Sequence, residues 1–407
     1  MFVQIHMLQS MPPGNLNRDD FGQPKKCLFG GVTRGRISSQ CLKRNVRLSP
    51  QFRDAFGGIV AQRTKYLPVL VANALKAAGG FDEAELKGVK EWIAAQFKKE
   101  TEEDSDTELE AKEDGGSASD CTPQLVFFPA PFATKIAELV TRLRKTNRPA
   151  YDRLIGKKIK GGKDEGKSAA EVLKQLTSDA FLAQESMSVD VALFGRMTTS
   201  DLIANVEASC QVAHAISTHE TLTEADYFTA MDDRQSDFAA SQVAGGGAAF
   251  LGSGDTCTFF NSAVYYKYLN LDADALAKAL GVGGAEHARK AARVLLETAA
   301  LATPTGKQNG FAAHSVPEVI LVEVSSIKQP ISYANAFLRA VQGPDLMAAS
   351  ARALDEYCKG IGAAYAPPDT RRFLLAVGSA AATGFTLKAS PAQTLSGLAA
   401  ELEKALA

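Results

Sequence analysis

The sequence predicts an α+β protein built on a ferredoxin-like sheet that carries a large helical insertion. Three observations lead there. Strand periodicity starts at the first residues, a long helical stretch separates it from the next strands, and the other elements run strand, helix, strand, strand, helix, strand. RNA-recognition domains use the same order. With 407 residues and 45% hydrophobic content, the chain can bury a substantial core in one elaborated domain or two to three smaller units.

Val3, Ile5 and Met7 alternate with Gln4 and His6, which is the period of a strand. A Pro/Gly/Asn loop is expected over 11–17, then the charged turn Arg18-Asp19-Asp20 and the Gly30-Gly31 pair. A short strand at 32–37 leads into Ser38-Ser39, good N-cap residues for a helix through Leu48. From 57 to 186 the pattern is helical, at 70–75, 87–97, 136–143 and 169–182, with breaks near 100–120 and 157–167. Strands resume at 188–194 and 263–269, on either side of a stretch containing Gly245-Gly246-Gly247. A helix over 285–301 and a strand over 318–324 complete the order. The tail adds helices near 332–341, 347–357 and 392–406, and a strand at 372–377. No internal repeat is visible.

Net charge is −1, from 45 basic and 46 acidic side chains, so the total points to no polyanionic partner. The distribution does. Lys25, Lys26, Arg34, Arg36, Lys43, Arg44, Arg47 and Arg53 fall in one stretch without an Asp or Glu, a local cationic patch. Acids dominate from Glu100 to Asp114, which reads as a solvated loop. If Ser38-Ser39 cap a helix, Gln40, Lys43, Arg44 and Arg47 fall within about 100° of arc, while Leu42 and Val46 turn toward a core. The helix start would offer free N–H groups and the Ser38 and Ser39 hydroxyls to a phosphate oxygen. The segment Gly306-Lys307-Gln308-Asn309-Gly310 is a second candidate, a turn with one lysine, two amides and flexible backbone.

The case for catalysis is thin. Gly161-Gly162-Lys163-Asp164-Glu165-Gly166-Lys167-Ser168 fits the phosphate-loop pattern, yet no buried strand precedes it, and Asp164 and Glu165 stand where phosphate oxygens would sit. His214 and His219 are five apart and lack the spacing of a zinc pair, so neither metal nor cofactor is expected. Asp232-Asp233 has no third acid at a regular spacing. The six cysteines show no metal spacing and read as reduced, mostly buried thiols, which suggests a cytoplasmic protein. No targeting signal or membrane-spanning stretch is seen.

Four segments carry a resemblance to the CasC family, the backbone subunit of the type I-E CRISPR Cascade complex in the wider RAMP superfamily. They are Leu16-Asn17-Arg18-Asp19-Asp20; Phe29-Gly30-Gly31 through Arg36-Ile37-Ser38-Ser39-Gln40-Cys41-Leu42-Lys43-Arg44; Val189-Asp190-Val191-Ala192-Leu193-Phe194-Gly195-Arg196-Met197; and Ala213-His214-Ala215-Ile216-Ser217-Thr218-His219 on to Asp232-Asp233. The resemblance implies a right hand: an RRM-like palm (1–56, 187–219, 263–407), helical fingers (57–186) and a thumb (220–262). It implies a non-catalytic protein of antiviral defence, several copies of which line one guide RNA, grip its phosphates and kink it at intervals. Base edges stay free to pair with target DNA. Partners would be the guide, the target strand, neighbouring copies and other Cascade subunits, with no membrane involved.

By motif, Arg18, Lys25, Ser38, Gln40, Lys43 and Arg47 would contact guide phosphates, and Lys307 and Asn309 would close the other side. Met197 would lie against a displaced nucleotide, and Thr229 and Leu251 would wedge into the duplex. Asn309 is a neutral amide where the family often has a basic residue. The alternative within the superfamily is a guide-directed RNA endonuclease using Asp19, Asp20, Asp232 or Asp233. A nucleotide hydrolase built on Gly161 to Ser168 is a third reading.

Overall fold

A computed structural model describes residues 1–57, 60–97, 120–156, 187–198, 200, 202–226, 229–231, 248–250 and 258–407. The chain divides into two compact units: Met1–Phe52 with Cys210–Ala275 and Ala285–Ala407, and Arg53–Ser209 with Leu276–Gly284. The fold is α+β.

The first unit holds the large sheet. Its strands are β1 (Phe2–Gly14), β2 (Lys26–Phe29), β3 (Val32–Ile37), β4 (Cys210–Val212), β5 (Ala215–Ser217), β6 (Thr258–Asp272), β7 (Val319–Ser325), β8 (Arg371–Ala376) and β9 (Ser390–Pro391), and a further short strand, Glu224–Asp226, pairs antiparallel with β6. The order is β9-β8-β7-β1-β6-β5-β3-β2, with β4 also on β6, and every ladder is antiparallel except β8 with β9. The four central positions, β7-β1-β6-β5, give the 4-1-3-2 order of a ferredoxin-like sheet. Helix α1 (Ser39–Leu48) follows β3, and α2 (Gly284–Leu301) joins β6 to β7.

Both faces of β1 are covered. Met7 pairs with Lys267, whose buried ammonium donates to Ala299 O in the last turns of α2. Burial pushes that lysine down to about 8. On the other face Leu8, Tyr266, Tyr268 and Leu321 pack with Met347, Ala351 and Leu354 of helix α3 (Leu346–Tyr365). Helix α4 (Leu395–Ala405) ends the chain's regular structure.

The second unit is mainly helical. Helices Leu67–Ala78, Glu83–Ala95, Phe132–Thr146 and Arg148–Leu154 enclose Val71, Leu75, Val89, Trp92, Ile136 and Val140. Asp82 and Glu85 form a capping box at the second helix. Glu85 is buried and held by Arg144 at 2.8 Å. A two-stranded antiparallel sheet, Ala61–Thr64 with Val126–Pro129, also belongs here, where only helices were expected.

Three local expectations are corrected. The loop at 11–17 is in part strand: β1 runs to Gly14, with a register shift between Met11 and Gly14 that leaves Pro12 and Pro13 exposed. The strand expected at 188–194 is a short helix, Val189–Phe194. Asp190, Val191, Ala192 and Leu193 are all buried there, so periodicity cannot separate strand from helix. The helix at 332–341 shrinks to one 3₁₀ turn, Ala334–Phe337, because the carbonyls of Phe337 and Leu338 are taken by the Arg34 guanidinium.

The Asp190 carboxylate explains the helix. It accepts the Ala61 N–H at 3.0 Å and the Ser188 hydroxyl at 2.6 Å, tying the helix start to the small sheet. Replacing Asp190 with alanine leaves those donors buried without that acceptor, and should cost the second unit about 2 kcal/mol. A urea unfolding curve followed by circular dichroism measures this; an unshifted midpoint would remove Asp190 from the support of the fold.

Candidate nucleic-acid interface

Ser38 is extended (φ −68°, ψ 147°) and caps α1, its Oγ accepting from Cys41 N at 3.3 Å. Its own N–H donates to Asn17 Oδ1 at 2.8 Å, joining the cap to the loop before β2. Ser39 N–H donates to His214 Nδ1 at 3.0 Å. The helix start is thus more closed than expected. Ser38 is buried with its oxygen engaged, and of the first three helix N–H groups only that of Gln40 lacks a partner among the described residues.

Leu42 and Val46 are buried as expected, Leu42 with Ile37, Ala215 and Tyr265. Gln40 and Arg44 are exposed and Lys43 is half-buried. Arg47 departs from the expected face: it is only 7% exposed. It stands in the last turn, where the carbonyl end of a helix favours a cation and a long stem can follow apolar surface. Arg34 is fully buried, donating to Phe29 O (3.2 Å), Ser217 O (3.0 Å) and Phe337 O (2.8 Å). Two of the patch's arginines therefore serve the fold.

Three of the six cations that remain converge. Lys25, Arg36 and Lys43 all act on His214, whose ring is driven below its ordinary value first by burial and then by these three charges. None of the three is ion-paired among the described residues, and Arg36 Nε is buried without an acceptor. The sites lie on different stretches of chain, gathered by the pairing of β3 with β5.

Beside this cluster a cleft of about 500 Å³ runs between the loop at 16–22, the Cys41, Arg44 and Asn45 side of α1, and Thr305-Gly306. Arg18 lines it and is exposed. Asp19 is occupied with its own loop, accepting from Phe21 N at 3.0 Å and Gln23 N at 2.9 Å. Gly306 lies so close to that loop that a Cβ would stand 2.6 Å from Leu16 O. The following turn is one helical turn, Gln308–Phe311, entered through Lys307 in the left-handed region (φ 52°). Lys307 and Asn309 are both exposed on it. The sheet thus brings Arg18, Lys25, Ser38, Gln40, Lys43, Lys307 and Asn309 onto neighbouring segments of one unit.

Met197 belongs to the second unit. It is 94% exposed, directly after Arg196, whose buried guanidinium donates to Phe127 O at 3.1 Å and Ala204 O at 3.0 Å. Burial lowers that arginine to about 10. Thr229 lies in a strand, Thr229–Met231, paired antiparallel with Ala248–Phe250. Leu251, Asp232, Asp233 and the Gly161 to Ser168 segment lie outside the described residues. Among the described residues no group of three potential metal ligands occurs, and no helix is long and apolar enough to cross a membrane. Of the described cysteines, Cys210 and Cys358 are buried, while Cys27, Cys41 and Cys121 are only half-buried, so "mostly buried" overstated them.

Sequence reasoning missed His214 and left Arg36 out of the contact set. His214 lies 175 residues from its partner Ser39, and no local spacing reports that. The two histidines turn out to differ. His219 uses Nδ1 with Glu220 O (2.7 Å) and Nε2 with Val264 N (3.1 Å), whereas His214 uses Nδ1 alone among the described residues.

Residues 3–401 match the family described as CT1975-like protein. Two solved structures are similar along their whole length. A chain of a "CRISPR RNA-guided surveillance complex, pre-nicking" is 27% identical, covers 100% of both chains and superposes with a TM-score of 0.77. A chain of a "CRISPR RNA-guided surveillance complex" is 25% identical, with 100% coverage of both and a TM-score of 0.68. No curated protein matches in sequence.

Proposed function

The chain belongs to the CT1975-like protein family, and we propose that it is a backbone subunit of a CRISPR RNA-guided surveillance complex, binding the guide through its phosphates. The observation that carries this reading is the cluster of Lys25, Arg36 and Lys43 around the start of α1, with no acid among the described residues paired to any of them. A phosphodiester offers charge and several acceptor oxygens to such a cluster, and contacts of that kind leave base edges free. Gln40 N–H at the helix start adds a neutral donor.

In this reading several copies follow one guide, the cleft beside Arg18 and Arg44 continues the phosphate track, and the strand carrying Thr229 belongs to the thumb. Target DNA meets the protein through the guide, and neighbouring copies and other subunits complete the complex. The role is binding without covalent chemistry. Asp19, one suspect for an RNA-cutting relative, has its Oδ1 engaged by two backbone N–H groups of its own loop.

Lys43→Ala tests the phosphate contact. Affinity for single-stranded RNA should fall, and the slope of log K against log salt should flatten by about 0.7, the value for one lost contact on a single strand. Unchanged affinity and slope would count against it. Small RNAs of uniform length with repeat-derived ends should co-purify with the chain; their absence from complexes isolated from the native host would count against the guide-binding role itself.

A further inference from the structure

We propose that His214 is itself an RNA-contacting residue, donating its Nε2–H to a phosphate oxygen seated over the start of α1; this rests on the guide-binding reading above. The ring divides its work. Nδ1 accepts the Ser39 N–H at 3.0 Å, which fixes the neutral tautomer with its proton on Nε2. That second nitrogen has no partner among the described residues, and the residue is exposed. His219, only five residues on, has both nitrogens bonded within the protein, so it is structural.

The surroundings select the ligand. Lys25, Arg36 and Lys43 are the charged groups that act on the ring, and Lys25 and Arg36 are held side by side by the Arg36 N–H donating to Lys25 O at 2.8 Å. Their charges, unpaired among the described residues, call for an anion, while the Nε2–H and the Gln40 N–H call for acceptor oxygens on the same group. A phosphodiester supplies both through two non-bridging oxygens that share one negative charge, and it is the anion that the guide-binding reading provides. Through Ser39 the imidazole is also fixed to the helix start, so its donor is already placed before RNA arrives.

The test separates the two nitrogens. His214→Asn puts an amide oxygen near the place of Nδ1 and keeps an acceptor for Ser39, but removes the donor at Nε2. His214→Gln can return an N–H near that place. Binding of a short single-stranded RNA to the full chain is measured by fluorescence anisotropy over a salt series near neutral pH, with Lys43→Ala in parallel. His214→Asn should weaken binding about tenfold, the size of a hydrogen bond to a charged group, and leave the salt slope unchanged because a neutral donor displaces no counterion. His214→Gln should recover part of the loss. Wild-type affinity for His214→Asn while Lys43→Ala is weakened overturns the proposal and leaves the guide-binding reading standing. A loss accompanied by a flatter slope or a lower thermal midpoint assigns the ring to structure and overturns it as well. A wild-type chain that binds no RNA removes the guide-binding reading, and this proposal with it.

Discussion

Arg34→Met should destabilise the first unit by about 3–5 kcal/mol, far more than the loss of any exposed cation in the same stretch. The guanidinium is fully buried and donates to the carbonyls of Phe29, Ser217 and Phe337, which belong to three distant stretches of chain. Its charge also lies 5.6 Å over the Phe29 ring. Methionine matches much of the volume but leaves those acceptors buried without a donor. The packing around them has little room to close: Gly30, at φ 61°, already has Leu338 O 1.7 Å from where a Cβ would stand. Urea unfolding by circular dichroism measures the effect, with Arg44→Met as the exposed control, expected within about 0.5 kcal/mol of wild type. Equal midpoints for the two variants would mean that Arg34 is no more structural than its neighbours. The contrast should reverse in RNA binding, where Arg44→Met alters the salt slope of a protein that remains folded.

Arg34 and Arg36 show where sequence reading stops. They are two apart on one strand, so they point to the same face, and in the sequence both are members of one cationic run. Arg34 is buried because the chain at 337–338, about 300 residues away, closes over it, and no period of 2 or 3.6 carries that information. The elements were legible where a local signal fixed them. Ser38 begins α1 because its side chain caps the helix, and the Val3, Ile5, Met7 alternation made β1 visible. The helix at Val189–Phe194 was not legible, because burial on every side erased the alternation that separates helix from strand. In the candidate site, Lys25 and Lys43 could be chosen from charge and helix geometry. Arg47 followed the same geometry and is buried, and His214 reaches Ser39 only through the pairing of β5 with β3.

The sheet that holds these segments together depends on one buried carboxylate. Glu323 of β7 stands opposite Gln4 of β1 and Arg372 of β8, accepting from Arg372 Nε at 2.6 Å and from the Tyr333 hydroxyl at 2.9 Å. His6 Nε2 lies 3.4 Å away, under the stacked Tyr333 ring at a centroid distance of 4.4 Å. Burial alone would raise this carboxyl, but His6 and Arg372 pull it down to about 2. The sign of the pH effect follows. The folded value lies below the ordinary 4.5, so the folded state binds that proton less readily, and the stabilisation is complete above 4.5 and lost as pH falls toward 2. The gap is worth about 3 kcal/mol. Glu323→Gln should therefore unfold at lower urea than wild type at neutral pH, and the difference should shrink as pH falls below 4.5 because only the wild type has this carboxylate to lose. The two proteins differ in this carboxylate alone, which isolates its contribution. Two stability curves that stay parallel from neutral to acid pH would show that the Glu323 charge does not hold β1, β7 and β8 together.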